Sequence, residues 1–126
     1  MAWCVKADIE QQFGPDNVAD WADLDNDDNA TKIANRIAAA ITYAEAFAKA
    51  MLRGSPLSLT RIDASVPTLI TVATAIIAGV YLYECRGLED ASPNPDGSPR
   101  HRLASAKASA LQTLEMIRDG KLEIEV

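Results

Sequence analysis

The longest uncharged stretch of the chain runs from Ala64 to Tyr83, and the other elements are best described in relation to it. It is uncharged throughout, although charged residues make up 24% of the sequence. A stretch that is apolar on every side is typical of a helix at the centre of a domain or of a membrane span. Ser65 is the predicted N-cap, Pro67 then falls in the first turn, and Gly87 is the expected stop.

The strongly apolar part of this stretch is shorter, from Leu69 to Leu82, and is interrupted by Thr71, Thr74 and Gly79. A membrane-spanning helix needs roughly 20 predominantly apolar residues. The flanks carry neither a cluster of Lys and Arg that would orient a span nor aromatic belts at both ends. We therefore interpret the segment as a buried central helix, and we expect a charge placed at Ile76 to unfold the domain.

Two longer segments show the spacing of amphipathic helices, in which apolar residues recur every three or four positions. The first runs from Ala30 to Arg53 and the second from Arg100 to Asp119. Their apolar faces consist of Ile33, Ile37, Ala40, Ile41, Ala44, Phe47, Ala48 and Met51 in the first, and Leu103, Ala106, Ala110, Leu114 and Ile117 in the second. Between the first of them and the central helix, Leu57 to Asp63 is expected to be an extended connector.

The N-terminal region predicts two short helices separated by a Gly-Pro turn. The first covers Lys6 to Phe13, and the second is capped by Asp16 and reaches about Ala22. Trp3, Phe13 and Trp21 are expected to cover one end of the core.

Two segments near the C-terminus do not follow the helical period. Residues 87–99 contain Pro93 and Pro95 among several turn-forming residues, which predicts a long loop that is either disordered or used for contact. In residues 121–126, Leu122, Ile124 and Val126 alternate with glutamates, which is the pattern of a strand. Such a strand has no partner within a helical chain, so it either frays or adds to a neighbouring molecule.

The sequence therefore predicts a single all-α domain covering residues 1–126. Its expected architecture is a central buried helix, two long amphipathic helices, one or two short N-terminal helices and a C-terminal β-strand extension. A chain of this length is large enough to fold around its own core without disulfides or metals.

Charge is distributed unevenly along the chain, whose formal net charge is −6. Residues 1–29 hold eight acidic residues against Lys6 alone, whereas the remainder is nearly neutral. This balance argues against a nucleic-acid binder that works by neutralising phosphates.

The acidic turn, residues 23–29 with the sequence DLDNDDN, is the stretch that most resembles a binding site. Asp23, Asp25 and Asp27 match the first three ligand positions of a calcium loop. However, Asp28 occupies the sixth position, where glycine is needed, and Ala34 occupies the twelfth, where a bidentate Glu is needed. The alternative is a solvated turn in which Asp28 or Asn29 caps the following helix.

Catalytic patterns are absent from the sequence, and we predict neither an enzyme nor a cofactor. The only histidine, His101, lies between Arg100 and Arg102, where a general base or a metal ligand is not expected. These arginines form a small basic cluster that suits either a solvated helix start or an acidic partner surface. Cys4 and Cys85 have no motif spacing and are expected to be reduced thiols.

Several motifs in a fixed order resemble the neck proteins of Mu-like phages and prophages, a family grouped with head-tail connectors. In this sequence they are ADIEQQFG, the Asp-rich DLDNDD, the long Ala-rich helix, RGSPLSL, VPTLI, YLYE and ALQTLEMIRDGKLEI. Two departures stand out: the family usually has glycine where Asp28 stands, and the loop around Pro93 and Pro95 is longer than usual.

The resemblance implies a structural virion protein that forms a homo-oligomeric ring between portal and tail, around the DNA channel. Its partners would be further copies, the portal and other neck or tail proteins, and DNA would pass without specific binding and without any membrane involvement. The protein would assemble in the bacterial host cytoplasm. Candidate subunit contacts are Leu122, Ile124, Val126, Pro93, Pro95, Arg100 and Arg102, and candidate channel-facing acids are Asp23, Asp25, Asp27 and Asp28.

Two other functions remain open from the sequence. One is a different small phage interaction protein, such as a tail-completion or regulatory factor. The other, which we favour less, is a membrane-active lysis protein that uses residues 66–83.

Overall fold

The chain forms a bundle of α-helices in a computed structural model that describes residues 3–53, 58–85 and 103–120. In chain order the helices are α1 Lys6–Phe13, α2 Pro15–Ala22, α3 Ala30–Leu52, α4 Leu59–Ala64, α5 Thr68–Cys85 and α6 Ala104–Arg118. Within these described ranges there is no β-strand. The predicted helical fold is confirmed there, whereas the predicted loop 87–99 and the predicted strand 121–126 lie outside the described residues.

Helix α5 is the centre of the bundle, because α1, α2, α3 and α6 all pack against it. Its buried residues lie on all sides of the helix and include Ala75, Ala78 and Gly79, whose small size lets the neighbouring helices approach closely. Among the described helices, α5 is long and apolar enough to cross a membrane by length and composition, but 56% of it is buried inside the bundle. This burial agrees with the interpretation of the segment as a core helix.

Helices α3 and α6 both run antiparallel to α5. Near the start of α3, Arg36 lines the same pocket as Cys85 at the end of α5. The Lys107 Nζ lies 3.3 Å from a Glu84 carboxylate oxygen, which places the start of α6 beside the end of α5. The apolar faces predicted for both helices are turned inwards, since Ala40, Ala44, Ala110 and Leu114 are all buried.

The junction between α1 and α2 depends on Gly14, which ends one helix and begins the next. Its φ of 89° lies in the left-handed region that glycine adopts without strain. Pro15 follows as the first residue of α2, where its missing N–H is not needed. The prediction that Asp16 caps α2 is therefore wrong, because Gly14 holds that position and Asp16 lies in the first turn.

The three N-terminal aromatic residues do not share one end of the core as predicted. Phe13 meets Trp21 edge-to-face with ring centres 5.4 Å apart, and Trp21 in turn meets Tyr83 near the end of α5. Trp3 lies at the opposite end, where its Nε1 donates a 2.6 Å hydrogen bond to Asp63, just before α5. The segment from Trp3 to Phe13 thus runs along α5, with Trp3 near the start of α5 and Phe13 near its end.

The segment before α5 also differs from the prediction. Residues 59–64 form the short helix α4 rather than an extended connector, because Ser58 caps it by accepting a 3.2 Å hydrogen bond from the Arg61 N–H and Ile62 is fully buried. Ser65 ends α4 instead of capping α5. The first acceptor of α5 is the Pro67 carbonyl, 3.0 Å from the Ile70 nitrogen.

Two further expectations are corrected at the level of single residues. Helix α6 begins at Ala104, with Leu103 before it, whereas Arg100 and Arg102 lie outside the described residues. Ile76 is only half-buried, and its neighbour Ile77 is the deeply buried residue, with 1% of its surface exposed. The apolar run could not distinguish these two isoleucines, because which side of α5 is covered depends on its neighbours.

Helix α1 approaches α5 most closely where the Phe13 ring lies over Gly79. A β-carbon added at Gly79 would overlap the Phe13 ring atoms. Gly79 is therefore required by this contact, although glycine within a helix costs about 1 kcal/mol relative to alanine.

We expect Ile77→Asp to unfold the domain and Ile76→Asp to be tolerated far better. At Ile77 the carboxylate would be buried without a partner, which destabilises by about 4 kcal/mol or more. At Ile76 the carboxylate can reach water. Chemical denaturation monitored by circular dichroism measures the free energy of unfolding of each variant. An equal decrease in the two variants would contradict the burial described for α5.

We expect Gly79→Ala to lower the free energy of unfolding by about 1–2 kcal/mol, because crowding against Phe13 outweighs the gain in helix propensity. The control is a double-mutant cycle with Phe13→Leu, which removes the ring that the new methyl group meets. In that background Gly79→Ala should be neutral or stabilising. An equal loss in both backgrounds would show that Phe13 is not the cause.

Candidate functional site

The acidic turn joins α2 to α3 and is held together by its own carboxylates. The Asp23 carboxylate accepts hydrogen bonds from the backbone nitrogens of Asp27 and Asp28, each at 3.2 Å. The Asn29 side chain then caps α3 by accepting a 3.1 Å hydrogen bond from the Lys32 nitrogen. One of the two predicted caps, Asn29, is therefore confirmed, and Asp23 organises the loop from within.

Two of the other carboxylates are paired with cations from the first turns of α3. The Lys32 Nζ lies 2.9 Å from Asp27 and 3.2 Å from Asp25, and an Arg36 nitrogen lies 3.4 Å from Asp25. The hydrogen bond from Lys32 lowers the pKa of Asp27, and the same contact raises the pKa of Lys32. All these side chains are at least one-third exposed to solvent, so each pair contributes little to stability.

This arrangement does not form the beginning of a calcium loop. In such a loop alternate carboxylates turn inwards onto one ion, whereas here they face backbone N–H groups and the cations of α3. Among the residues that the structure describes, no group of three or more potential ligands is positioned to hold a metal ion. Asn26 and Asp28 have positive φ values of 53° and 55°, a conformation that glycine adopts readily. Glycine would therefore fit at Asp28 without backbone strain.

An apolar pocket of about 190 Å³ lies beside the acidic turn, between α2, α3 and the end of α5. Its apolar walls come from Trp21, Leu24, Ala39 and Leu82, and its polar groups come from Arg36, Tyr81 and Cys85. The Tyr81 ring stacks on Tyr43 with ring centres 4.3 Å apart. No local sequence signal marks this pocket, because its lining comes from three separate segments.

The two cysteines have different environments. Cys4 is buried, and this burial, with Asp8 and Glu45 nearby, raises the pKa of its thiol to about 12. Cys85 is exposed at the end of α5, and its hydrogen bond with Tyr81 raises the pKa of the tyrosine. The two thiols are free, as expected from the sequence.

The structure places the predicted acidic candidates Asp23, Asp25, Asp27 and Asp28 together in one turn. The predicted subunit-contact residues cannot be placed in the same way, because they all lie outside the described residues: Leu122, Ile124, Val126, Pro93, Pro95, Arg100 and Arg102.

Comparison with known families gives a match over nearly the whole chain. The family model described as "Bacteriophage Mu, Gp36" matches residues 3–126. The chain belongs to this family of phage proteins. The match covers every described helix. Comparisons with curated proteins and with solved structures gave no significant match.

We expect thiol reagents at pH 8 to modify Cys85 rapidly in the folded protein and Cys4 only after unfolding. The reacting species is the thiolate, and burial keeps Cys4 protonated and covered. Because the pKa of Cys4 is higher in the folded state than the ordinary value of 9.0, its contribution to stability should be constant below pH 9 and fall at higher pH. Mass spectrometry after timed labelling gives the rates, and Cys85→Ser is the control. Equal rates for both thiols in the folded protein would contradict the packing around Cys4.

Proposed function

We propose that this protein is a structural component of the phage neck, a head-tail connector subunit that forms a ring between portal and tail. The observation that carries the proposal is the family match over residues 3–126, which identifies a phage protein. The neck position comes from the resemblance of the ordered sequence motifs described above. The proposed location is therefore the virion, with assembly in the host cytoplasm.

The chemistry of the described residues supports a structural role rather than a catalytic one. The acidic groups whose pKa is clearly shifted are Asp27 and Asp63, which accept hydrogen bonds from Lys32 and Trp3, the buried Cys4, and Tyr81, which is hydrogen-bonded to Cys85. Of these groups in the described part of the chain, Tyr81 lines the apolar pocket, and its raised pKa keeps it protonated near neutral pH, where a catalytic base must be able to accept a proton. The proposal therefore assigns no catalytic role and no cofactor.

The acidic turn supports a position near the DNA channel. Residues 1–29 hold eight acidic residues against Lys6 alone, and four of these carboxylates lie within six residues of the turn, where Lys32 and Arg36 pair with Asp25 and Asp27. The remaining negative potential would repel the phosphate backbone, so DNA would slide past rather than bind. In the proposal, Asp23, Asp25, Asp27 and Asp28 face the channel.

The C-terminal segment 121–126 is the proposed arm between neighbouring subunits. An extended arm gains main-chain hydrogen bonds from its neighbour and places alternate side chains in pockets. Contacts of this head-to-tail kind are what a closed ring requires.

We expect the protein to be found in purified particles as a ring on the phage axis, and deletion of residues 121–126 to prevent its incorporation while leaving the monomer folded. Electron microscopy and mass spectrometry of particles measure incorporation, and circular dichroism measures folding. The matched control replaces Glu123 and Glu125 with Gln, which keeps Leu122, Ile124 and Val126 and should incorporate normally. Absence of the protein from wild-type particles would refute the proposed function, whereas normal incorporation after the deletion would refute only the arm.

A further inference from the structure

The first half of α5 has an apolar face that the described helices leave partly open. Leu69, in the first turn, has 43% of its surface exposed, and Val72 and Ile76 continue the same side of the helix as half-buried residues. Between Asp63 and Glu84 the sequence contains no charged residue. Further apolar side chains can therefore be buried here. We call the surface formed by Leu69, Val72 and Ile76 the Leu69 face.

Helix α6 leads the chain to the level of this face. The Lys107 Nζ lies 3.3 Å from a Glu84 carboxylate oxygen, and α6 runs antiparallel to α5. Gly120 is thirteen residues after Lys107, and Thr71 is thirteen residues before Glu84. Because both helices rise by about 1.5 Å per residue, the chain leaves α6 at about the level of Thr71, close to Leu69 along the axis.

The same contact shows which side of α5 faces α6. Leu69 is fifteen positions before Glu84, and Ile76 is eight positions before it. At about 100° per residue, these positions lie about 60° and about 80° from Glu84 around the axis of α5. The Leu69 face therefore borders the side of α5 on which α6 packs.

Gly120 ends α6 and changes the direction of the chain. Its φ of 75° lies in the left-handed region, and its N–H donates a 3.2 Å hydrogen bond to the Ile117 carbonyl, as in a glycine cap that closes a helix. Leu122 and Ile124 follow two and four residues later, which gives them a reach of about 7 Å and about 14 Å. Neighbouring helix axes are about 8–10 Å apart, so both side chains can reach the Leu69 face.

We propose that residues 121–126 cover the Leu69 face of their own chain in the free subunit, and that the arm of a neighbouring copy takes this place in the ring. This inference rests on the arm of the proposed function and names the surface that receives it. The three aliphatic residues of the segment alternate with two glutamates. Alternation allows the aliphatic side chains to be buried against the face, which stabilises the contact, while the carboxylates stay in water.

Exchange of arms requires no second binding surface. Every copy carries both the Leu69 face and the arm, so contacts that an arm loses on its own chain are regained on a neighbour. Exchange of an identical element between subunits is a low-cost route to an oligomer. A face covered by its own arm also removes an exposed apolar patch from the free subunit, and such patches promote association.

The test is disulfide trapping in the full chain carrying Leu69→Cys and Ile124→Cys, with Cys85→Ser to remove the exposed native thiol. The matched control combines Ile124→Cys with Ala50→Cys. Ala50 is an exposed residue of α3 at the same end of the bundle, since its neighbour Lys49 lies 3.9 Å from Asp63. Dilute protein is oxidised for timed intervals, the products are separated by mass without reduction, and circular dichroism measures folding.

We expect the Leu69→Cys pair to form a disulfide within one chain at least tenfold faster than the Ala50→Cys pair. Adding Leu122→Asp should slow this trapping at least fivefold, because it places a charge against an apolar face, whereas adding Glu123→Gln should not. In purified particles, the Leu69→Cys pair should instead join neighbouring chains.

Equal rates for the two pairs, or a disulfide that forms only between chains in dilute solution, would overturn docking of the arm on its own chain. Disulfides confined to single chains in particles would overturn the exchange. The proposed function is tested separately. A protein that is present in particles but whose arm is not trapped would retain the neck role and refute the docking, whereas trapping in a protein that is absent from particles would support the docking and refute the neck role.

Discussion

The fold depends on covering most of α5, because a helix that is apolar on nearly every side has no stable position at a protein surface. Two long helices cannot enclose it, and the N-terminal residues complete the cover: α1 lies over Gly79, and α2 brings Trp21 against Tyr83. The short N-terminal helices are thus part of the core. Residues such as Ile9 and Val18 are fully buried although their helices are only eight residues long.

The packing of helices around α5 also determines which residues lie at each end of the bundle. Because α3 and α6 both run antiparallel to α5, the segments that join the helices lie at the two ends of the bundle, together with their charged residues. The Asp-rich turn follows α2 at one end, whereas Trp3, Lys49 and Asp63 meet at the other, with the Lys49 Nζ 5.5 Å from the centre of the Trp3 ring. The acidic first quarter of the chain therefore contributes its Asp-rich turn to one end of the described bundle.

The sequence predicted the elements whose signals are local and missed those that depend on packing. The spacing of apolar residues located α3, α5 and α6. Asn29 was recognisable as a cap because its hydrogen bond to the Lys32 nitrogen spans only four residues. The start of α5 was misplaced because Ser65 could either end α4 or cap α5. The burial of Ile62 stabilises α4, and Ser65 therefore ends that helix. Neither the exposure of Ile76 nor the pocket at Tyr81 could be predicted, since both depend on which helix lies opposite.

The acidic turn shows why a sequence motif and a binding site can differ. Three aspartates at alternate positions suggest metal ligation, but a carboxylate that binds a metal needs oxygens that are free to point at the ion. Here Asp23 holds the turn closed through two backbone N–H groups, and Asp25 and Asp27 are drawn to Lys32 and Arg36. Holding the turn in this way fixes the positions of the charges without creating a cavity for an ion. Such a turn can act through its electric field, and under the proposed function that field would keep DNA at a distance.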